Sequence, residues 1–142
     1  MKSNSKFIAL LAGATFIAFV LGTGLSASAQ DKPKGKPWPA PESAEKMKNP
    51  SKSDDASIKE AKDLYAQHCK SCHGTKGKGD GPKAAQLDTE CGDFTKASFT
   101  SQTDGAIFYK TSEGRKDMPS FKKKIPEAND IWSVVNYMRT LK

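Results

Sequence analysis

The sequence predicts an all-α fold for a single small domain, residues 56–142 of a chain of 142 residues. Three observations lead to this fold class. Apolar residues recur at helical spacing in several segments, and breaks rich in glycine and proline separate those segments. No segment alternates apolar and polar residues convincingly, as a half-buried strand would. Residues 1–55 have a different composition and are predicted to lie outside the domain.

Residues 1–29 have the pattern of an export signal. Two lysines precede a long apolar run from Phe7 to about Leu25, and Ala27-Ser28-Ala29 forms an A-x-A cleavage site with Gln30 as the mature N-terminus. The alternative is an uncleaved membrane anchor, because the run approaches the lower limit for a spanning helix. Both alternatives place the remaining chain in the periplasm or otherwise outside the cytoplasmic membrane, with anchoring on its outer face in the second case.

Residues 30–55 are predicted to be a linker rich in proline and lysine. Five of the eight prolines lie here, with little apolar content and no periodicity, so we expect an extended and solvated conformation. Trp38 is the exception, since its indole can pack back on the domain or remain exposed.

Within the domain, the first predicted helix covers residues 57–72. Ser57 and Glu60 form a capping-box pattern, and Ile58, Ala61, Leu64 and Tyr65 follow at helical spacing. A glycine-rich break follows, with a short helix predicted from Pro82 to Leu87.

Two further helices are predicted towards the C-terminus. The segment TDGAIFYKTSEG is a helix capped by Thr103 and stopped by Gly114. The last helix is the clearest, because its apolar residues recur at i, i+3, i+4 and i+7: Ile131, Val134, Val135 and Met138. Large apolar side chains are few, so the core stabilises the domain only marginally, which suggests that a bound group supplies further apolar contact.

The charge of the chain is mildly basic. The formal net charge is +7, and residues 56–142 contribute fifteen basic against eleven acidic residues. This balance favours an acidic protein partner or an anionic surface through electrostatic steering. There is no nucleic-acid motif, and a charge of this size alone does not indicate one.

The stretch HCKSCHG, residues 68–74, contains most of the candidate chemistry. Cys69, Cys72 and His73 stand at i, i+3 and i+4, which places them on one face of a helix, while His68 points about 100° away from Cys69. Three interpretations compete: a redox-active dithiol, half of a zinc site, or a covalent haem anchor.

The haem anchor explains most of the pattern. A structural zinc site needs four protein ligands, and the other candidates, His68 and Cys91, are badly placed. A thioredoxin-like dithiol belongs to a βαβ unit, whereas this C-x-x-C closes a helix. C-x-x-C-H is the pattern of c-type haem attachment: two thiols one turn apart form thioether bonds to the vinyl groups, and the adjacent imidazole lies under the iron.

With these residues the sequence resembles the small monohaem class I cytochromes c of bacterial periplasmic type, over residues 57–142. CKSCHGTKGKGDGP is similar to the attachment loop, SEGRKDMPSF to the segment that delivers an axial methionine, and VVNYMRTL to the final helix. The resemblance implies a cytochrome c fold, a small helical domain wrapped around one covalently attached haem c. Ala61, Tyr65, Val134 and Tyr137 would form the crossing of the first and last helices.

Met118 is the expected sixth ligand of the iron. Met1 and Met47 lie outside the domain, and Met138 lies on the apolar face of the last helix, where packing is the usual role. Met118 lies in a loop stiffened by Pro119 and fits the Met/His pattern of cytochromes c. His68 is the competitor. Cofactor binding is therefore assigned to Cys69, Cys72, His73 and Met118, and iron ligation to His73 and Met118.

The same resemblance gives further expectations. The carbonyl of Pro82 would accept the His73 N–H, and Arg115 would pair with a haem propionate or remain solvated. The candidates for the apolar haem pocket are Phe94, Phe99, Ile107, Phe108 and Phe121. Lysines flank Met118 and would steer an acidic partner if they ring the exposed haem edge: Lys116, Lys122, Lys123 and Lys124.

Cys91 departs from the family pattern, because no cysteine remains to form an intramolecular disulfide with it once Cys69 and Cys72 carry haem. We expect a buried and inert thiol, with an intermolecular disulfide or a reactive thiol as alternatives.

The predicted function is one-electron transfer between redox proteins rather than enzymatic catalysis. The first alternative is a haem subunit of a larger redox enzyme, with sulfur chemistry at Cys91 as one form of this alternative. The second is a haem sensor from whose iron Met118 can be displaced.

Overall fold

The computed structural model describes residues 38–141, so the predicted export signal at residues 1–29 lies outside the described residues. Six α-helices form this part of the chain: α1 (Glu42–Glu45), α2 (Asp55–His68), α3 (Lys70–His73), α4 (Ala97–Thr100), α5 (Asp104–Glu113) and α6 (Ala128–Thr140), with a 3-10 helix at Ala84–Gln86. Between residues 38 and 141 there is no β-strand, and the predicted all-α class is confirmed. None of the helices in this range is long and apolar enough to cross a membrane.

Helix α2 begins earlier than the capping-box pattern predicted. Asp54 is the N-cap, and its carboxylate accepts a hydrogen bond from the backbone N–H of Ser57 at 2.9 Å. This bond and the hydroxyl of Ser57 lower the pKa of Asp54. An aspartate also favours the positive N-terminal end of the helix, so Asp54 satisfies the cap better than Ser57 would.

The core lies where α2 packs against α6. Ala61 and Val134 have no exposed surface, and Tyr65 is 2% exposed. The rings of Tyr65 and Tyr137 are 5.2 Å apart at their centroids. A small residue opposite a large aromatic lets the two helices approach closely, which fixes the end of α2 and thus the position of the cysteine motif.

Residues 38–52, which we call the N-terminal strap, correct part of the linker prediction. The strap contains α1, and Ala44 is 4% exposed because it packs on the start of α5. The side chain of Asn49 donates to Asn136 of α6 at 2.8 Å. Extended, solvated chain is therefore the wrong expectation for this stretch, although the division of the chain at residue 55 stays a prediction.

The other predicted helices are present, with small differences at their ends. Thr103 caps α5 by accepting the Ala106 N–H at 3.1 Å, and Gly114 ends it with a φ of 69°. The helix expected from Pro82 to Leu87 is a single 3-10 turn. Helix α4 has no counterpart in the predictions.

The hydroxyl of Tyr65 links the core to the cysteine motif. It donates to the buried carbonyl of Gly74 at 2.7 Å. We expect Tyr65→Phe to lower the free energy of unfolding by about 1–3 kcal/mol, because the Gly74 carbonyl loses its buried partner. Denaturant unfolding measures this change. The matched control is Tyr109→Phe on α5, where the tyrosine is half-buried; an equal loss in both variants would contradict a specific role of the Tyr65 bond.

Candidate functional site

A cavity of about 590 Å³ collects all four residues that the sequence singled out. Cys69, Cys72 and His73 line it from the end of α2 and from α3, and Met118 lines it from the loop after α5. Its volume lies in the usual range for cofactor sites, about 300–1,000 Å³. Residues 45 positions apart in the chain, His73 and Met118, thus meet at one site.

The backbone holds the cysteine motif in a tight turn. Cys69 ends α2 with its N–H bonded to the Tyr65 carbonyl at 2.8 Å, and α3 follows at once. Gly81 returns against this turn and donates to the Cys72 carbonyl at 3.1 Å. A Cβ on Gly81 would lie 2.5 Å from the carbonyl oxygen of Ser71, so only glycine allows this approach.

His73 faces the cavity as a neutral imidazole. Burial lowers its pKa to about 4, against a smaller opposing effect of a hydrogen bond to the backbone of Cys91. Its ring stacks on Phe94 with centroids 4.7 Å apart. Its Nδ1 is buried and has no hydrogen-bond partner within residues 38–141, so the bond that the resemblance implied to Pro82 is absent. A neutral ring is the form that binds a metal.

The two motif cysteines are thiols rather than a disulfide. Cys69 is 8% exposed, and burial, with a smaller contribution from Cys72, raises its pKa to about 12. Cys72 is half-buried. Both side chains line the cavity. Within the described chain no three His, Cys, Asp or Glu side chains converge as a metal site formed by them would require.

Met118 lies at the end of a tight hairpin turn. Arg115 and Met118 exchange both backbone hydrogen bonds, at 2.8 and 3.0 Å, around Lys116 and Asp117. Lys116 has a φ of 53°, in the left-handed region that such turns use. The turn therefore gives the Met118 side chain a defined direction rather than leaving it on an open loop.

Three contacts anchor this hairpin to the rest of the domain. The Asp117 carboxylate accepts from the backbone and hydroxyl of Thr89, at 3.2 and 2.9 Å. Ser120 donates its hydroxyl to the Ser112 carbonyl at 2.6 Å. The hairpin also passes directly over Gly114, where a Cβ would lie 2.4 Å from the carbonyl carbon of Pro119. Met118 is thus held from α5 and from the segment before α4.

The apolar wall of the cavity follows the sequence prediction closely. Four of the five expected side chains line it: Phe94, Phe99, Ile107 and Phe121. Phe108 does not; its ring stacks on Trp132 at 4.0 Å between centroids. Stacked rings of Phe94 and Phe99, 4.4 Å apart, extend the surface that begins at His73.

Other candidate residues also lie at the cavity, and two of them, Cys91 and His68, have a different place from the one expected. Cys91 is half-exposed rather than buried, and it lines the cavity and a smaller cleft beside it. His68 also lines the cavity, with its ring 6.1 Å from that of Phe121. Arg115 lines the cavity beside Trp38, and the lysines Lys116 and Lys124 lie at its edge.

Sequence reasoning did not assign several of the lining residues to the site, and three of them stand out. Lys110 and Gln102, which are hydrogen-bonded to each other, lie on the cavity wall, and so does Met138. Burial of Lys110 lowers its pKa, against the attraction of Glu45. Lys110 lies on the same helical face as Ile107 and Thr111, and this spacing could have predicted its place on the cavity wall.

These residues fit a haem group. The cavity offers an apolar wall, two thiols one helical turn apart, and a neutral imidazole with a buried Nδ1 that has no partner within the described chain. A thioether lies on the hairpin that covers the same cavity. Nitrogen and thioether donors are the axial set of cytochromes c.

An all-helical domain with C-x-x-C-H on the wall of such a cavity defines a c-type cytochrome. Comparison with known families agrees. The model of the family described as cytochrome c oxidase, cbb3-type, subunit III matches residues 56–138, more than half of the chain, and the chain belongs to this family.

Solved structures give the same fold. A chain of the Kuenenia stuttgartiensis reducing HAO-like protein complex Kustc0457/Kustc0458 is 24% identical with a TM-score of 0.58; the match covers 75% of this chain and 52% of that one. The KustC0563 c-type cytochrome is 28% identical with a TM-score of 0.50, over 58% of this chain and 96% of that one. This chain thus spans about half the length of the first structure. No curated protein matches significantly.

The family and the fold establish a coarse function. The chain contains a domain of the c-type cytochrome class; domains of this class bind haem, take part in electron transfer and typically lie outside the cytoplasm.

Proposed function

We propose that this protein is a one-electron carrier with a single haem c, bound through Cys69 and Cys72 and ligated by His73 and Met118. The observation that carries the proposal is the convergence of these four side chains on one cavity from two separate segments. One C-x-x-C-H motif in the chain supports one haem.

Each of the four residues has a distinct task in this proposal. Cys69 and Cys72 would tether the group by thioether bonds, and the hydrogen bond from Gly81 holds the backbone of the turn on which both cysteines line the cavity. His73 presents a neutral nitrogen from α3, and its stacking on Phe94 limits rotation of the ring. Met118 presents its sulfur from a hairpin that Asp117 ties to Thr89.

Ligation of the iron by His73 and Met118 would favour electron transfer over catalysis. Haem supplies a one-electron change between Fe(II) and Fe(III). If His73 and Met118 held the iron from both sides, no coordination position would remain for a substrate. The thioether of Met118 would favour Fe(II) relative to a second histidine, which would raise the reduction potential.

Surface charge supports an acidic docking partner. Lys116, Lys122, Lys123 and Lys124 are exposed on and beside the Met118 hairpin. Lys122 pairs with Glu113, and the others have no ion pair within the described residues. Such a group of cations at the edge of the cavity favours association with a redox protein that has an acidic surface.

A second candidate is a haem subunit of a larger redox enzyme. The matching family is described as an oxidase subunit, and the first similar structure is that of a protein complex. Under either function we propose a periplasmic or otherwise exported location, with residues 1–29 as a cleaved signal or an outer-face anchor.

Co-expression of the full chain with haem-maturation machinery tests the proposed function. We expect a c-type reduced spectrum, slow binding of carbon monoxide to the reduced protein, and a monomer on size exclusion. A stable complex with other chains from the native membrane fraction would support the subunit function. Fast binding of carbon monoxide would contradict closed axial ligation and would favour the sensor alternative.

A further inference from the structure

The N-terminal strap brings an aromatic side chain to the wall of the cavity. Trp38 is half-buried and lines the cavity. The guanidinium of Arg115 lies over its ring, 4.7 Å from the centroid, and Arg115 lines the same part of the wall. Contacts of this type stabilise a cation against an aromatic face. The strap therefore takes part in the site and is not only a connection to it.

Specific bonds hold the strap to the helices behind the cavity. Asn49 donates to Asn136 at 2.8 Å and to Asp104 at 3.3 Å. The hydroxyls of Ser51 and Ser133 share a hydrogen bond at 2.6 Å. These residues join the strap to both α5 and α6.

A close backbone contact fixes the other part of the strap. A Cβ on Gly105 of α5 would lie 2.0 Å from the carbonyl oxygen of Ala44. The hydroxyl of Thr103 donates to Glu45 at 2.7 Å next to this contact. Because the obstacle is backbone, a larger residue at position 105 must displace the strap, whereas α5 itself tolerates alanine better than glycine.

We propose that Trp38 is a positioning residue, held by the strap, that keeps Arg115 against the cavity and water away from that side of the haem. This inference rests on the proposed function. Both effects change the reduction potential in the same direction, because a nearby guanidinium and the exclusion of water each disfavour the more positive Fe(III) state. The strap therefore raises the reduction potential.

Redox titration of the full-length, haem-loaded protein tests the inference. Trp38→Ala is expected to shift the Fe(III)/Fe(II) equilibrium towards Fe(III) by about three- to tenfold, where tenfold corresponds to about 59 mV for one electron. Trp38→Phe keeps an aromatic face for Arg115, so its reduction potential should stay close to that of the wild type. Met47→Ala is the matched control, because Met47 lies on the same strap, is 41% exposed and is not part of the cavity wall.

Gly105→Ala tests the role of the strap without replacing a residue of the cavity wall. We expect a shift in the same direction as that of Trp38→Ala, and no further shift when the two are combined, because both act through the same contact. Amide hydrogen exchange, measured with and without haem, should show lost protection in residues 44–47 in Gly105→Ala and retained protection in Trp38→Ala.

The outcomes separate this inference from the proposed function. If haem is attached and both Trp38→Ala and Gly105→Ala have the potential of the wild type, the positioning role of Trp38 is overturned while the carrier function stands. If Gly105→Ala loses protection in the strap but keeps its potential, the strap does not act on the site. Absence of covalent haem from the wild type overturns both.

Discussion

Replacing Cys69 and Cys72 together by alanine is expected to abolish the retention of haem by the denatured polypeptide. The two sulfurs line the cavity from one turn of chain, held by the Cys69 N–H bond to Tyr65 and the Gly81 bond to Cys72. Thioether bonds survive denaturation in acid, whereas axial ligation does not. Mass spectrometry of acid-denatured protein should therefore show the porphyrin increment in the wild type and none in the double variant.

Cys91→Ser is the matched control for this experiment. Cys91 lines the same cavity and also forms no disulfide, so it tests whether any cavity thiol can serve as a tether. We expect full retention of the porphyrin mass in this variant. A loss of the mass in Cys91→Ser, or its persistence in the double alanine variant, would contradict attachment through the C-x-x-C-H motif.

The helices that the sequence predicted well are those whose signals are local. The periodicity of Ile131, Val134, Val135 and Met138 placed α6, and all four side chains are buried. Thr103 and Gly114 marked the ends of α5 because a cap and a stop act within one turn of the chain. Asp54 and Ser57 can both cap the N-terminus of α2, and the sequence pattern alone did not distinguish them.

The strap shows why composition led to a wrong prediction of extended, solvated chain. Prolines and lysines remove the apolar content on which a packing prediction rests, and residues 38–52 therefore have the composition of solvated chain. Their order comes instead from polar contacts with distant residues: Asn49 bonds to Asn136, 87 positions away, and Ser51 to Ser133, 82 positions away. No local pattern encodes pairs at that separation.

In the candidate site, too, residues in short motifs could be predicted, whereas contacts between distant residues could not. C-x-x-C-H and the M-P segment are short patterns with chemical meaning, so Cys69, Cys72, His73 and Met118 could be named from the amino-acid sequence alone. The bond from Thr89 to Asp117, across 28 positions, could not, although it fixes the hairpin. The helical projection also failed for His68, since α2 ends there and the chain turns at Cys69.

Replacing Met118 by leucine is expected to remove the weak far-red band of the oxidised protein that reports sulfur ligation. Leucine preserves the volume of the side chain but offers no lone pair to iron, so packing changes little while the donor is lost. The reduction potential should fall, because the thioether favours Fe(II). Carbon monoxide should bind faster to the reduced variant than to the wild type, since under the proposed ligation leucine would leave one axial position without a donor.

Met138→Leu is the matched control for this test. Met138 is the other methionine that lines the cavity; it is 4% exposed and belongs to α6, where packing explains it. Both variants remove one thioether from the same cavity by the same substitution, so a general loss of sulfur or a repacked wall would affect both. We expect the band and the potential to be retained in Met138→Leu. If the band instead survives in Met118→Leu and vanishes in Met138→Leu, the iron takes its sulfur from α6, and the anchored hairpin only covers the cavity.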